Sequence, residues 1–266
     1  MNVINFVKSD LPGIKVFLDE YLQSLTGVVD DFWESHILTA DVYEISVDNE
    51  KIGCFAVFGV ERLTVFYVRA CYIYLAQDIF KRILSEFNIK DAFVTTVDSL
   101  FLALCMDFHK KIELQAYFFD GERSREVRSP EYGRESLSEV NSAEIPKINV
   151  KTDNFFNYPA EAYDDPEFKV YRLSEDGVDL GYGVLYPNPL SPNYYACGMV
   201  TLPEHRKKGV GRSIQIHLAD ICEEKGEIPV SGCWYYNTLS KKTIESAGRH
   251  SRIRLLRVLF HEGGVR

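Results

Sequence analysis

The stretch Met199-Val200-Thr201-Leu202-Pro203-Glu204-His205-Arg206-Lys207-Lys208-Gly209-Val210-Gly211-Arg212-Ser213 gathers residue types that bind an anion. Gly209 and Gly211 stand one residue apart and permit backbone conformations that turn successive N–H groups inward. The amphipathic stretch after them is expected to be a helix. Its first N–H groups would lack intrahelical acceptors, and its dipole is positive at that end. Lys207, Lys208 and Arg212 add positive charge, so the chemistry that fits is a diphosphate. Gly-x-Gly also occurs at strand-to-helix turns that bind nothing, and spacing has to decide. No Gly-Lys-[Ser/Thr] follows the glycines, which excludes the phosphate loop of the nucleoside triphosphatases. Ile214 stands where a dinucleotide fold needs its third glycine. The pattern left is Arg206-x-x-Gly209-x-Gly211.

Such a loop needs a strand before it and a helix after it. Residues 194–202 read as the strand, and a helix over 212–225, a strand over 230–236, a helix over 240–247 and a strand over 253–260 follow. Gly226 and Gly248 stand where helix C-termini take positive φ, and Asn237 or Thr238 can cap the last helix. Upstream, strands over 168–173 and 180–185 flank a turn at Asp176-Gly177, and residues 187–193 are too proline-rich to be regular. The N-terminal half reads as helices over 11–25 and 32–38, then strands over 42–47, 52–60 and 63–70 with turns at Asp48-Asn49 and Glu61-Arg62. A helix over 76–87, a strand over 92–97, a helix over 100–108 and a strand over 112–119 complete it, up to Asp120-Gly121. Residues 122–152 are polar and charged, and are expected to hold a linker with the first strand and helix of the second half. Both halves share one element order, which points to two copies of one α+β architecture, residues 1–121 and 122–266.

The run P-E-x-R-x-x-G-x-G-x-[SA] behind an apolar strand resembles the pyrophosphate-binding signature of the GNAT N-acetyltransferases, matched by Arg206, Gly209 and Gly211. A second family signature, N-x-x-A-x-x-x-Y-E-x-x-G-F, is similar to the segment from Asn237 to Arg249. Asn237, Glu245 and Gly248 coincide, and Ser240 replaces the usual Ala. The resemblance implies a mixed, mostly antiparallel sheet flanked by helices, twice in tandem. It also implies acetyl-CoA as the cofactor, with its pantetheine arm entering between splayed strands at 194–202 and 230–236. Backbone groups of Val200 and Leu202 would bond the arm, with Asn237 on its other side. Arg206, Lys207, Lys208, Gly209, Val210, Gly211, Arg212 and Ser213 would hold the pyrophosphate. The run Lys241, Lys242, Arg249, Arg252, Arg254 and Arg257 either reaches the 3′-phosphate or is a solvated basic face.

The implied activity is acetyl transfer to an amine of a small molecule or peptide. A longer acyl donor, or a non-catalytic acetyl-CoA-binding module, are the alternatives. The chemistry needs a neutral amine, a donor at the developing oxyanion, expected near Leu202 N–H, and a proton for the leaving thiolate. The family's usual tyrosine falls at Ile244 and its Phe at Arg249, so no catalytic side chain is assigned. Tyr235 or Tyr236 either substitutes or packs, Cys197 reads as core, Glu204 as a turn residue, and His217 as exposed on its helix.

Length fits two domains, since domains cluster near roughly 100–150 residues. Residues 1–120 carry 10 Lys+Arg against 18 Asp+Glu, and residues 121–266 carry 20 against 21. That balance disfavours nucleic acid as a partner and favours cationic small molecules. Six scattered cysteines without a C-x-x-C pair disfavour a zinc site or a disulfide framework. No apolar run of membrane-spanning length and no signal pattern stand out, so a cytoplasmic protein without a membrane partner is expected. The N-terminal junction at 70–78 has neither glycine nor a basic residue. That half is expected to have lost coenzyme binding and to act as a covering lobe.

Overall fold

The computed structural model describes residues 3–124, 127–158 and 160–261. Residues 125 and 126 of the expected linker lie outside the described residues. The chain divides into two units: Met1–Ala116 with the final strand, and Tyr117–Arg252.

In the first unit, β1 (Ile4–Ser9) precedes α1 (Leu11–Ser24) and α2 (Asp31–Leu38). The sequence reading lacks β1, because apolar alternation there covers only Ile4 and Phe6; antiparallel pairing with the next strand, from Ile4↔Val47 to Ser9↔Val42, makes it one. Asp10 caps α1 by accepting from Gly13 N–H (2.8 Å), and Asp30 caps α2 by accepting from Trp33 N–H (3.0 Å). Strands β2 (Asp41–Val47), β3 (Glu50–Phe58) and β4 (Arg62–Val68) form an antiparallel meander. Asp48 and Asn49 both take positive φ, which suits a two-residue hairpin turn to the twist of its strands. Helix α3 (Ala76–Glu86) buries Ala76, Ile79, Phe80, Ile83 and Leu84, an i, i+3, i+4 stripe facing the sheet. Each of the larger side chains, Ile79, Phe80, Ile83 and Leu84, taken from water to full burial, contributes on the order of 1.5–3 kcal/mol. Strand β5 (Asp91–Thr95) runs parallel to β4 but meets it only at Arg62↔Asp91 and Leu63↔Ala92. Helix α4 (Ser99–Phe108) follows, capped by Asp98 through Phe101 N–H (3.0 Å). Strand β6 (His109–Phe119) begins three residues earlier than expected. Its residues 117–119 belong to the second unit.

The second unit repeats this order with β7 (Leu137–Glu139), α5 (Ile145–Lys151), β8 (Lys169–Glu175), β9 (Val178–Pro187), β10 (Tyr194–Thr201), α6 (Val210–Glu224), β11 (Ile228–Trp234) and α7 (Thr238–Ser246). Strands β7 to β10 are antiparallel neighbours, and β11 runs parallel to β10. Asp176 and Gly177 repeat the positive-φ hairpin turn. A register shift after Leu173 in β8 matches the one after Ile45 in β2. One face of the sheet packs Tyr182, Val184, Ala196 and Leu202 on Ile145 and Ile148 of α5. The other packs Leu185, Tyr195 and Cys197 on Ile214 and Leu218 of α6.

The last strand, β12 (Ile253–Phe260), departs from the expected division at residues 121/122. It pairs antiparallel with β5, from Leu255↔Thr95 to Leu259↔Asp91, and buries Leu256, Val258 and Phe260 in the first unit's core. The end of β6 lies beside β11 in turn. Each sheet is thus completed by the strand that ends the other half of the sequence. Among the described residues no helix is long and apolar enough to cross a membrane.

Candidate functional site

Strands β10 and β11 pair at Tyr194↔Ile228, Tyr195↔Pro229 and Ala196↔Val230, and their pairing ends there. The gap beyond exposes one edge of β10. Leu202 N–H donates to Leu180 O (3.1 Å), toward β9. Backbone groups two residues apart point to the same edge of a strand, so Val200 is also turned toward β9. The backbone groups of Val200 and Leu202, which the sequence suggested for the arm, are therefore turned to β9; the groups facing the gap are those of Met199 and Thr201. Leu202 is buried in the α5-side core instead.

After β10 a short 3₁₀ turn, Pro203–His205, leads into the glycine loop. Lys207 (φ 63°) and Gly209 (φ 80°, ψ 0°) both adopt the left-handed region, and Gly209 is the residue that opens α6. Left-handed residues followed directly by a helix start turn successive N–H groups into a concave nest, and the first-turn N–H groups of α6 have no intrahelical acceptors. Gly211 is a glycine for a different reason: a side chain there would meet Thr243 Cγ2 at 2.9 Å, Thr201 Oγ1 at 3.2 Å and Met199 Sδ at 3.3 Å. Its absence keeps the floor open.

Above this floor lies a cleft of about 570 Å³. Of the residues expected to hold the coenzyme, Val200, Arg206, Lys207, Gly209, Val210, Gly211, Arg212 and Asn237 line it. Leu202, Lys208 and Ser213 do not stand among its lining. Ser213 is fully buried and accepts from Tyr132 N–H (3.2 Å) through its hydroxyl. Asn237 Oδ1 accepts from Ser240 N–H (3.0 Å), so its side chain caps α7 at the cleft wall. Met199, Thr201, Phe155 and Thr243 also line the cleft and were missed. Strand alternation would have offered Met199 and Thr201; nothing in the sequence marks Phe155.

The loop is buttressed from residues 131–134. Arg212 pairs with Glu131, whose carboxylate lies against Gly209. His217, expected to be exposed, is buried with Nε2 2.8 Å from Tyr132 O, because this segment covers α6. The expected basic run does not act together. Lys242 alone of its members lines the cleft, Lys241 pairs with Glu245 (3.2 Å), Arg252 with Asp120 (2.8 Å), and Arg257 with Asp91 (2.7 Å) in the first unit. Arg249 is 1% exposed and reaches Ser231 Oγ at 3.5 Å. Cys197 is buried beside it, and burial pushes its thiol pKa up, so it is not a nucleophile. Ile244 is buried against Tyr117 and Phe119, and Tyr235 stacks on Tyr117 with centroids 4.7 Å apart.

Residues 11–122 match an acetyltransferase (GNAT) domain family, and residues 134–248 match the acetyltransferase (GNAT) family. No curated protein matches the chain. Among solved structures, it is similar to an acetyltransferase of the GNAT family from Colwellia psychrerythraea (TM-score 0.85, 17% identity, 97% of this chain and 100% of that one). It is also similar to a tandem GNAT protein from the clavulanic acid biosynthesis pathway (TM-score 0.61, 12% identity, 99% of this chain and 100% of that one). A third is a GCN5-related N-acetyltransferase from Sphaerobacter thermophilus (TM-score 0.60, 10% identity, 98% and 97%). Two family domains in succession and a fold shared along its whole length with such proteins place the chain in the GNAT acetyltransferase superfamily, with two GNAT domains in tandem.

Proposed function

We propose that the second unit binds acetyl-CoA in the cleft beside β10 and transfers its acetyl group to an amine, and that the first unit binds no coenzyme. The observation that carries this reading is the nest at Lys207–Gly211, joined to a cleft whose charged lining residues, Arg206, Lys207, Arg212 and Lys242, are all cationic. A diphosphate suits such a cradle, where each charge-assisted hydrogen bond contributes on the order of 1.5–3 kcal/mol. When bound, acetyl-CoA supplies an acyl carbon activated as a thioester. The gap-facing groups of Met199 and Thr201 orient the arm as an added strand edge would, and an N–H of this pair is the donor for the carbonyl oxygen. Ile244 has no proton to give, so proton delivery to the thiolate does not run through that position.

Coenzyme A at millimolar concentration is expected to raise the melting temperature, since a ligand that binds only the folded state stabilises it. Release of free thiol from acetyl-CoA, followed over a panel of amines, tests transfer. No thermal shift would end the reading. A shift without turnover on any amine would turn it into a coenzyme-binding module.

A further inference from the structure

The two faces of the second unit's sheet are chemically different at the gap. The glycine loop opens at the N-terminus of α6. Tyr195 and Cys197 face that helix, and Met199 packs with them. At the end of β11, Cys233 and, just past the strand, Tyr235 pack toward Ile244 of α7. Trp234 is one residue out of phase and so projects from the opposite face, the one that carries α5. Tyr236 lies against it, with ring centroids 5.1 Å apart. Both rings are open to solvent, at 58% and 61% exposure. Across the gap, on the same α5 side, a side chain at Gly198 would meet the Phe155 ring at 3.7 Å. Phe155 is held there by its neighbour: Phe156 N–H donates to Asn149 Oδ1 (3.0 Å), and Asn149 Nδ2 donates to Phe156 O (3.1 Å).

The gap is therefore flanked on its α5 face by exposed aromatic rings. Solvent-exposed aromatic residues grouped beside a cleft mark a ligand surface. The charges nearby argue about which ligand. Every charged residue lining the cleft is cationic, so a polycation would be repelled. Asp179, in a separate opening beside Leu202 and Pro203, is already paired with Lys151 (2.8 Å) and Arg172 (3.2 Å). An apolar surround also favours the neutral amine that attack requires.

We infer that the acceptor is a primary amine carried on a short chain from an aromatic ring, lodged on the α5 face between Phe155 and the Trp234–Tyr236 pair. This rests on the reading of the cleft as the acetyl-CoA site. In the reaction the amine lone pair forms the N–C bond and the C–S bond breaks with its electron pair on sulfur. The proton lost from nitrogen neutralises the thiolate.

The chain has two tryptophans, Trp33 fully buried and Trp234 exposed, so quenching of exposed tryptophan emission reports on this surface. Phenethylamine titrated into the coenzyme A-saturated protein is expected to quench that emission, with the response lost in Trp234→Phe. Spermidine and butylamine are expected to bind about tenfold more weakly, and Trp234→Ala to raise the KM for phenethylamine about tenfold. Coenzyme A affinity serves as the control for folding, and Tyr236→Ala as a second variant should raise the same KM. Equal binding of spermidine or butylamine, or an unchanged KM in both alanine variants, would overturn the inference. Coenzyme A binding with no response to phenethylamine would overturn it alone; absence of coenzyme A binding would remove the reading beneath it as well.

Discussion

The two units solve the same strand-to-helix connection in opposite ways. In the second, β10 passes through a left-handed Lys207 and Gly209 into α6, leaving inward N–H groups and, at the cleft, the cations Arg206, Lys207 and Lys242. In the first, β4 passes into a 3₁₀ turn, Ala70–Leu75, with no positive φ before α3. Its one cation, Arg69, is held by Glu20 at 2.8 Å, and that guanidinium keeps the Glu20 carboxyl below its ordinary pKa. The next connection repeats the contrast. Both α4 and α7 start on a capping side chain that accepts from the N–H three residues on. Asn237 is exposed at the cleft wall, whereas Asp98 is 5% exposed inside the first unit. One scaffold can keep its hydrogen-bonded frame while a few residues decide whether its parallel strand gap serves a ligand.

The largest effect is expected where the nest is filled. Gly211→Asp places a carboxylate against Thr201 and Thr243 and is expected to weaken coenzyme A by roughly 100-fold or more, about 2.8 kcal/mol, by calorimetric titration. Tyr74→Ala at the first unit's junction should leave that affinity unchanged; a loss there would break the comparison. Asp98→Asn comes next and makes the first unit resemble the second. Burial pushes the Asp98 carboxyl from 3.8 up to about 6, so the folded chain holds this proton more tightly than the unfolded one. The cost of the buried charge is absent below 3.8, grows up to about 6 and is complete above it, so stability falls as pH rises through that window. The variant keeps an acceptor for the cap and loses the charge, and is expected to gain about 1–3 kcal/mol at neutral pH and nothing at about pH 3 by denaturant titration. The converse change, Asn237→Asp, retains the cap and sets a carboxylate beside the anion site. A roughly tenfold weaker coenzyme A affinity, about 1.4 kcal/mol, is the outcome to check.

Much of the site was legible in local chemistry. Gly209 and Gly211 mark the turn into α6 from the sequence alone, because left-handed φ at the one and the space for a close approach at the other are properties of glycine itself. The hairpin turns at Asp48-Asn49 and Asp176-Gly177 and the cap at Asn237 are equally short-range. Lys242 and Arg249 sit in one basic run, yet one lines the cleft and the other is buried at 1% exposure, since position along a chain does not say which side of a helix end faces an opening.

The sequence by itself determined the order of the elements after β1, the duplicated pattern and the glycine-led turn that opens α6, all set by interactions within a few residues of one another. Only the tertiary structure decided that Met199 and Thr201, not Val200 and Leu202, face the gap, because the direction of a strand's N–H groups depends on which neighbour it pairs with. It likewise decided that β12 completes the first unit and the end of β6 the second, since strand pairing joins residues as far apart as Thr95 and Leu255 and is written in no local periodicity.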